Sequence, residues 1–163
     1  MRPTRVQTFM EIAHVVAKRA TCMRLNVGAV VVHNRKIVSI GYNGVPSGEP
    51  HCTGNDCPGK SRCELTIHAE MNALNHMPRG LHGPLDVYVT DSPCRHCWEM
   101  MKRQFMNEDG SYAYVARVFF ATPYRITDHL EGDESFFGPK IYRVLPAGYV
   151  LDWHTKELVE VDT

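Results

Sequence analysis

The sequence carries no excess charge of either sign. Across 163 residues, 18 lysines and arginines balance 18 aspartates and glutamates. That removes the bulk electrostatic footprint of non-specific nucleic-acid binding and leaves only a local basic patch open. No apolar run is long enough to cross a membrane. The opening Met1-Arg2-Pro3-Thr4-Arg5-Val6 lacks the apolar stretch of a secretory signal. Six cysteines without such a signal read better as metal ligands than as disulfides, so a reducing cytoplasm is the expected compartment. No repeat, low-complexity tract or linker divides the chain. Its length suits a single domain over residues 1–163, large enough to enclose a core.

Two short stretches carry chemistry: His68-Ala69-Glu70 and Pro93-Cys94-Arg95-His96-Cys97. One imidazole and two thiolates make a three-ligand zinc site with a fourth position left for water. Zinc lowers the pKa of that water to about 7, so hydroxide is available at neutral pH. Glu70, two residues from a ligand, can reach the water without binding the metal and move its proton. Cys94 and Cys97 are three apart and share a helix face. Pro93 suits a helix start, where the macrodipole favours thiolates. Each half alone is weak, and a C-x-x-C after a strand also fits a thioredoxin-like redox pair. In this order, the two halves match the signature of zinc-dependent nucleobase deaminases.

The rest of the chain places these stretches. Val6, Phe9, Met10, Ala13, Val16 and Ala17 recur at helical spacing, which predicts a core-packing helix over 6–20 with Thr4 as its cap. Runs 27–33 and 37–42 are β-branched and apolar around Asn34-Arg35, so they predict a hairpin. Residues 44–66 form a long Pro-, Gly- and Cys-bearing loop, and a loop of that length is usually functional or fastened. Further helices are expected over 67–77 and 94–106, and strands over 85–90, 115–122 and 141–145. Residues 128–134 fit an acidic loop or a short helix, the loop being favoured. Residues 150–161 fit extended structure or a terminal helix. The order implies a mixed sheet with helices on both faces.

Four pieces together resemble the cytidine/deoxycytidylate deaminase superfamily: Val27-Gly28-Ala29-Val30, Gly41-Tyr42-Asn43-Gly44, His68-Ala69-Glu70-Met71-Asn72-Ala73 and Ser92-Pro93-Cys94-Arg95-His96-Cys97. The resemblance runs over about 6–124. The G-Y-N-G turn with Asn72 looks like the deoxycytidylate (dCMP) branch. Transfer-RNA adenosine deaminases usually carry a tryptophan in that turn and lack the asparagine. The resemblance implies a three-layer α/β/α fold with a five-stranded mixed sheet. It implies zinc on His68, Cys94 and Cys97, with Glu70 as proton shuttle. Zinc-bound hydroxide would attack C4 of dCMP, releasing ammonia and supplying dUMP for thymidylate synthesis. Asn43 would contact the sugar, and the backbone of Ser92 would receive the departing amino group. Tyr124 would flank the nucleotide, or be an ordinary tyrosine. Arg24 would clamp the 5′-phosphate, or be a solvated surface arginine.

Similar enzymes are often hexamers, activated by dCTP with Mg2+ and inhibited by dTTP, and these are the effectors the resemblance implies. The chain's small size points to a phage or bacterial enzyme, working in the host cytoplasm if phage-encoded. Cys22, Cys52, Cys57 and Cys63 are enough for a closed structural zinc site. Some phage and bacterial relatives carry such a second zinc. His51 could replace one ligand, or the four could be reduced thiols. Around 107–114 the chain is longer than typical relatives. Two other functions stay open: a deaminase of another base, such as cytidine or transfer-RNA adenosine, and a non-catalytic zinc-containing nucleotide-binding module. The neutral charge argues against nucleic acid, and the presence of Glu70 argues against the binding module.

Overall fold

The predicted alternation of helical and extended segments resolves into one sheet with helices on both faces. The computed structural model describes residues 1–22, 24–51, 66–125, 127–131 and 138–161. Helix α1 spans Arg5–Ala17 and buries the six residues of the predicted stripe. Thr4 starts it: its hydroxyl accepts from the Gln7 N–H at 3.1 Å, and the Gln7 amide oxygen accepts from the Thr4 N–H at 2.8 Å. This reciprocal cap satisfies two donors the helix cannot pair itself.

Strands β1 (Gly28–His33) and β2 (Lys36–Tyr42) form the predicted hairpin. Asn34 and Arg35 both adopt positive φ, the turn geometry that matches strand twist. β3 (Gly83–Asp91) pairs antiparallel with β1 and parallel with β5 (Tyr112–Thr122), and β5 pairs parallel with β6 (Lys140–Val144). These five make the expected mixed sheet. The described residues add three strands, for eight in all. β7 (Val150–Asp152) and β8 (Leu158–Val159) extend the far edge, and β4 (Gln104–Met106) pairs with β5.

The structure corrects the sequence reading in two places and decides an open one in a third. Helix α3 covers only Arg95–Met101 of the expected 94–106. Beyond it the chain reverses through a turn in which the Asn107 N–H donates to the Ser111 carbonyl at 2.8 Å. That turn lays Gln104–Met106 against Tyr112 to Tyr114, and Phe105 packs on the core. The segment favoured as an acidic loop is helical, α4, over Asp128–Glu131. Its driving force is apolar: Leu130 is fully buried, which no periodicity in so short a segment reveals. Of the two readings open for residues 150–161 the extended one holds: a tight turn at Pro146–Gly148 folds β7 back onto β6, and a turn over 153–155 brings β8 onto β7.

Strand alternation divides the core. Val30, Val32, Tyr88, Phe119 and Tyr142 face α1. Val31, Val87, Val89 and Phe120 face α2 (Ala69–Asn75), α3 and α4 on the other side. The three layers are therefore α1, the sheet, and α2–α3–α4. Two glycines let the helices seat closely. A Cβ on Gly28 would collide with the Ala13 carbonyl and Ala17 nitrogen of α1. A Cβ on Gly41 would collide with the Ala69 carbonyl and Ala73 nitrogen of α2. Among the described residues, no helix is long and apolar enough to cross a membrane.

Candidate active site

The site is built where α2 and α3 begin. The long loop after β2 leaves and returns through one bridge. The Gly44 N–H donates to the Ile67 carbonyl at 3.1 Å, and the Ile67 N–H to the Gly44 carbonyl at 2.8 Å. His68 follows at once as the N-cap of α2. The helix is then clamped to β2. The Asn72 amide donates to the Tyr42 carbonyl at 2.8 Å, and the Ser39 hydroxyl donates to the Ala73 carbonyl. Asn72, which marked a family branch in the sequence, is thus a brace that fixes the height of His68 and Glu70 over the sheet.

On the neighbouring strand, β3 ends at Asp91 and Cys94 caps α3. The Cys94 sulfur accepts from the Cys97 N–H at 3.5 Å. His68 Nδ1 lies 3.4 Å from Cys94 Sγ and 3.3 Å from Cys97 Sγ. All three donor atoms fall within 4.8 Å of one another. A tetrahedral zinc with Zn–S of about 2.3 Å and Zn–N of about 2.0 Å sets nitrogen and sulfur about 3.5 Å apart. The donor set and its spacing therefore fit zinc.

Electrostatics support the same arrangement. A hydrogen bond from Cys97 is the main reason the Cys94 thiol is pushed down to about 3, with His68 and the Cys97 N–H adding to it. Cys97 is pushed strongly up, first by that bond and then by burial. Without metal the pair shares one proton, held on Cys97, and Cys94 is the thiolate. Glu70 is 4% exposed. Burial pushes its carboxyl up to about 7, against smaller lowering effects from a backbone hydrogen bond and His68. A bound dication would pull it back down.

A family model described as the cytidine and deoxycytidylate deaminase zinc-binding region matches residues 3–108. The chain belongs to this deaminase family. It is 41% identical over 123 residues to ComE operon protein 2 of Bacillus subtilis, covering 73% of this chain and 60% of that protein. This chain thus spans about 60% of the length of that curated relative. It is 37% identical to the deoxycytidylate deaminase of Mycobacterium phage D29, covering 59% of this chain and 84% of the phage protein. Among solved structures it is similar to the dCMP deaminase of cyanophage S-TIM5 in complex with dCMP and dUMP. The TM-score is 0.69 at 29% identity, with 88% of this chain and 98% of that one covered.

In this family member, a cavity of about 420 Å³ opens over the ligand cluster. His68, Glu70, Cys94, Arg24, Asn43, Ser92, Tyr124 and Cys22 all line it. Asn43 is committed to the backbone: its oxygen accepts from the Val27 N–H at 2.7 Å and its nitrogen donates to the Leu25 carbonyl at 2.6 Å. Its first role here is to hold the strand entering β1. The Ser92 hydroxyl accepts from the Tyr124 N–H at 2.8 Å, and the Arg125 guanidinium sits 4.9 Å above the Tyr124 ring. Of the four remaining cysteines only Cys22 is described; Cys52, Cys57 and Cys63 lie outside the described residues.

The sequence reading gave no site role to four ionisable residues that also line the cavity: Asp91, Arg95, Arg125 and His129. Asp91 precedes the Ser92 to Cys97 motif, Arg95 lies inside it and Arg125 follows Tyr124, so adjacency was the available signal. Asp91 is held above the usual carboxylate range, chiefly by burial. His129 comes from a segment with no recognisable pattern.

Proposed function

We propose that this chain is a zinc-dependent hydrolase that deaminates dCMP to dUMP and ammonia. The observation that carries the reading is the convergence of His68, Cys94 and Cys97, the first two of them lining a nucleotide-sized cavity beside a buried carboxylate. The phage relatives named for dCMP deamination, one of them holding dCMP and dUMP, support that substrate.

His68, Cys94 and Cys97 would hold a zinc ion, and the chemistry it would supply there is a water nucleophile that ionises near neutral pH. Glu70 does the proton work. Its carboxylate takes one proton from the attacking water and passes it to ring N3 of cytosine, then takes the second proton of that water and delivers it to the amino group, which leaves as ammonia while the oxygen stays on C4. Its burial beside the ligand cluster and in the cavity lining places one carboxyl within reach of both transfers. The Ser92 backbone faces the departing amino group, Asn43 and Tyr124 contact the nucleotide, and Arg24 holds the 5′-phosphate. All four line the cavity, which supports these roles.

The wider reading rests on the family resemblance. Residues 1–163 form one deaminase domain. Cys22, Cys52, Cys57 and Cys63 hold a second, structural zinc. The enzyme works in the cytoplasm as a homo-oligomer, a hexamer, and feeds dUMP to thymidylate synthesis. dCTP with Mg2+ activates it and dTTP inhibits it. The deciding experiment is ammonia release from dCMP, deoxycytidine and CMP, with and without dCTP and Mg2+. Release from dCMP alone is expected. No release from any of them, with zinc present, would defeat the reading.

A further inference from the structure

The stretch from the end of β5 onward lies beyond residues 3–108, the span the family model matches. It is nonetheless laced to the start of the metal-ligand loop. The Ser92 N–H donates to the Thr122 carbonyl at 2.9 Å, and the Tyr124 N–H donates to the Ser92 hydroxyl at 2.8 Å. The third stitch is a side chain: His129 Nε2 lies 2.8 Å from the Pro93 carbonyl. A carbonyl can only accept, so the ring must carry its proton on Nε2.

This contact falls at a sensitive place. Pro93 is buried, and its carbonyl precedes the N-cap, outside the hydrogen bonds of α3. The Pro93–Cys94 peptide sets the direction in which the Cys94 side chain leaves the backbone. From the other side, the Cys94 sulfur is held by the Cys97 N–H and faces His68. His129 is itself anchored, because the adjacent Leu130 is fully buried in the α2–α3 layer. His129 also lines the cavity, together with Tyr124 and Arg125 from the same segment.

We infer that His129 is a positioning residue of the active site: by donating Nε2–H to the Pro93 carbonyl it fixes the peptide that aims Cys94. The site of this chain is therefore completed by a segment outside the family-matched region. The inference rests on the proposed zinc site for its chemistry, but its test does not need turnover.

The test compares His129→Ala, His129→Phe and His129→Gln in the full zinc-loaded chain. Phenylalanine keeps the bulk and removes the donor, while glutamine returns an N–H at similar reach. Zinc affinity is read by competition with a chromophoric chelator, and ligand geometry by the thiolate charge-transfer bands of the Co(II)-substituted protein. Loss of a partner that orients a metal ligand costs about 10- to 100-fold in affinity or activity. His129→Phe and His129→Ala are expected to bind zinc 10- to 100-fold more weakly and to shift the Co(II) bands, with His129→Gln recovering to within a few-fold. Where dCMP is turned over, kcat falls and KM changes little. Wild-type affinity in His129→Phe, or a His129→Gln as impaired as His129→Phe, would overturn the inference. Absence of dCMP turnover in the wild type would defeat the substrate reading alone and leave the metal measurements decisive. If His129→Ala does not fold, the Phe and Gln pair decides.

Discussion

Replacing Glu70 with glutamine should change how the metal-free protein responds to pH, in a direction fixed by burial. The folded carboxyl titrates at about 7, against an ordinary 4.5. Below pH 4.5 it is protonated in both states and contributes nothing. As pH rises from 4.5 to 7 the unfolded chain ionises while the folded chain keeps its proton. The native state then binds more protons, so stability falls with rising pH. At about 1.4 kcal/mol per pH unit, the full cost above pH 7 is about 3 kcal/mol. Cys94 acts with the opposite sign, since its thiol is pushed down in the folded state. That contribution is present in both proteins, and only its coupling to the Glu70 charge enters their difference. Urea unfolding of chelator-treated, reduced wild type and Glu70→Gln, run from pH 4.5 to pH 8, measures it. The variant should gain about 3 kcal/mol on the wild type across that range. Parallel curves would refute the claim that this carboxyl is held near neutrality by burial.

Gly41→Ala should drive α2, with His68 and Glu70, away from the sheet. Overpacking of this kind costs about 1–3 kcal/mol, and a misplacement of about 1 Å can cost about 100-fold in rate. Gly28→Ala makes the matching clash against α1, which holds no site residue, so it should lose similar stability in thermal melts and keep most turnover; equal losses of turnover would contradict the argument. In the metal-free protein at pH 6, iodoacetamide should modify Cys94 well before Cys97, as read by peptide mass mapping, and the reverse order would contradict the shared-proton assignment. Asn43→Ala leaves the Val27 N–H and Leu25 carbonyl without partners and should cost about 2–4 kcal/mol in urea unfolding; an unchanged midpoint would contradict its role as a brace.

The legible parts of this chain were those whose physics is local. The α1 stripe, the Thr4 cap and the Asn34-Arg35 turn each follow from spacing or turn chemistry within a few residues. The metal cluster was legible because ligand chemistry restricts residue type so severely that two short motifs define it. What escaped depends on partners far away in sequence. β4 is a strand only because Tyr112 to Tyr114 lies beside it, although Met101 to Met106 continues a plausible helix. β7 exists because a tight turn returns it to β6. His129 enters the site through a carbonyl 36 residues away, and nothing in its own neighbourhood marks it. Asn43 shows the converse. Its presence in the pocket was foreseen, but its hydrogen bonds go first to the backbone.

The most direct test of the account is ammonia release from dCMP by wild type and Glu70→Gln, with zinc content measured on the same samples. The account predicts turnover in the wild type, and full zinc occupancy at His68, Cys94 and Cys97 with turnover almost abolished in the variant. A Glu70→Gln protein that keeps both its zinc and its rate would contradict the role of Glu70 and, with it, the proposed mechanism.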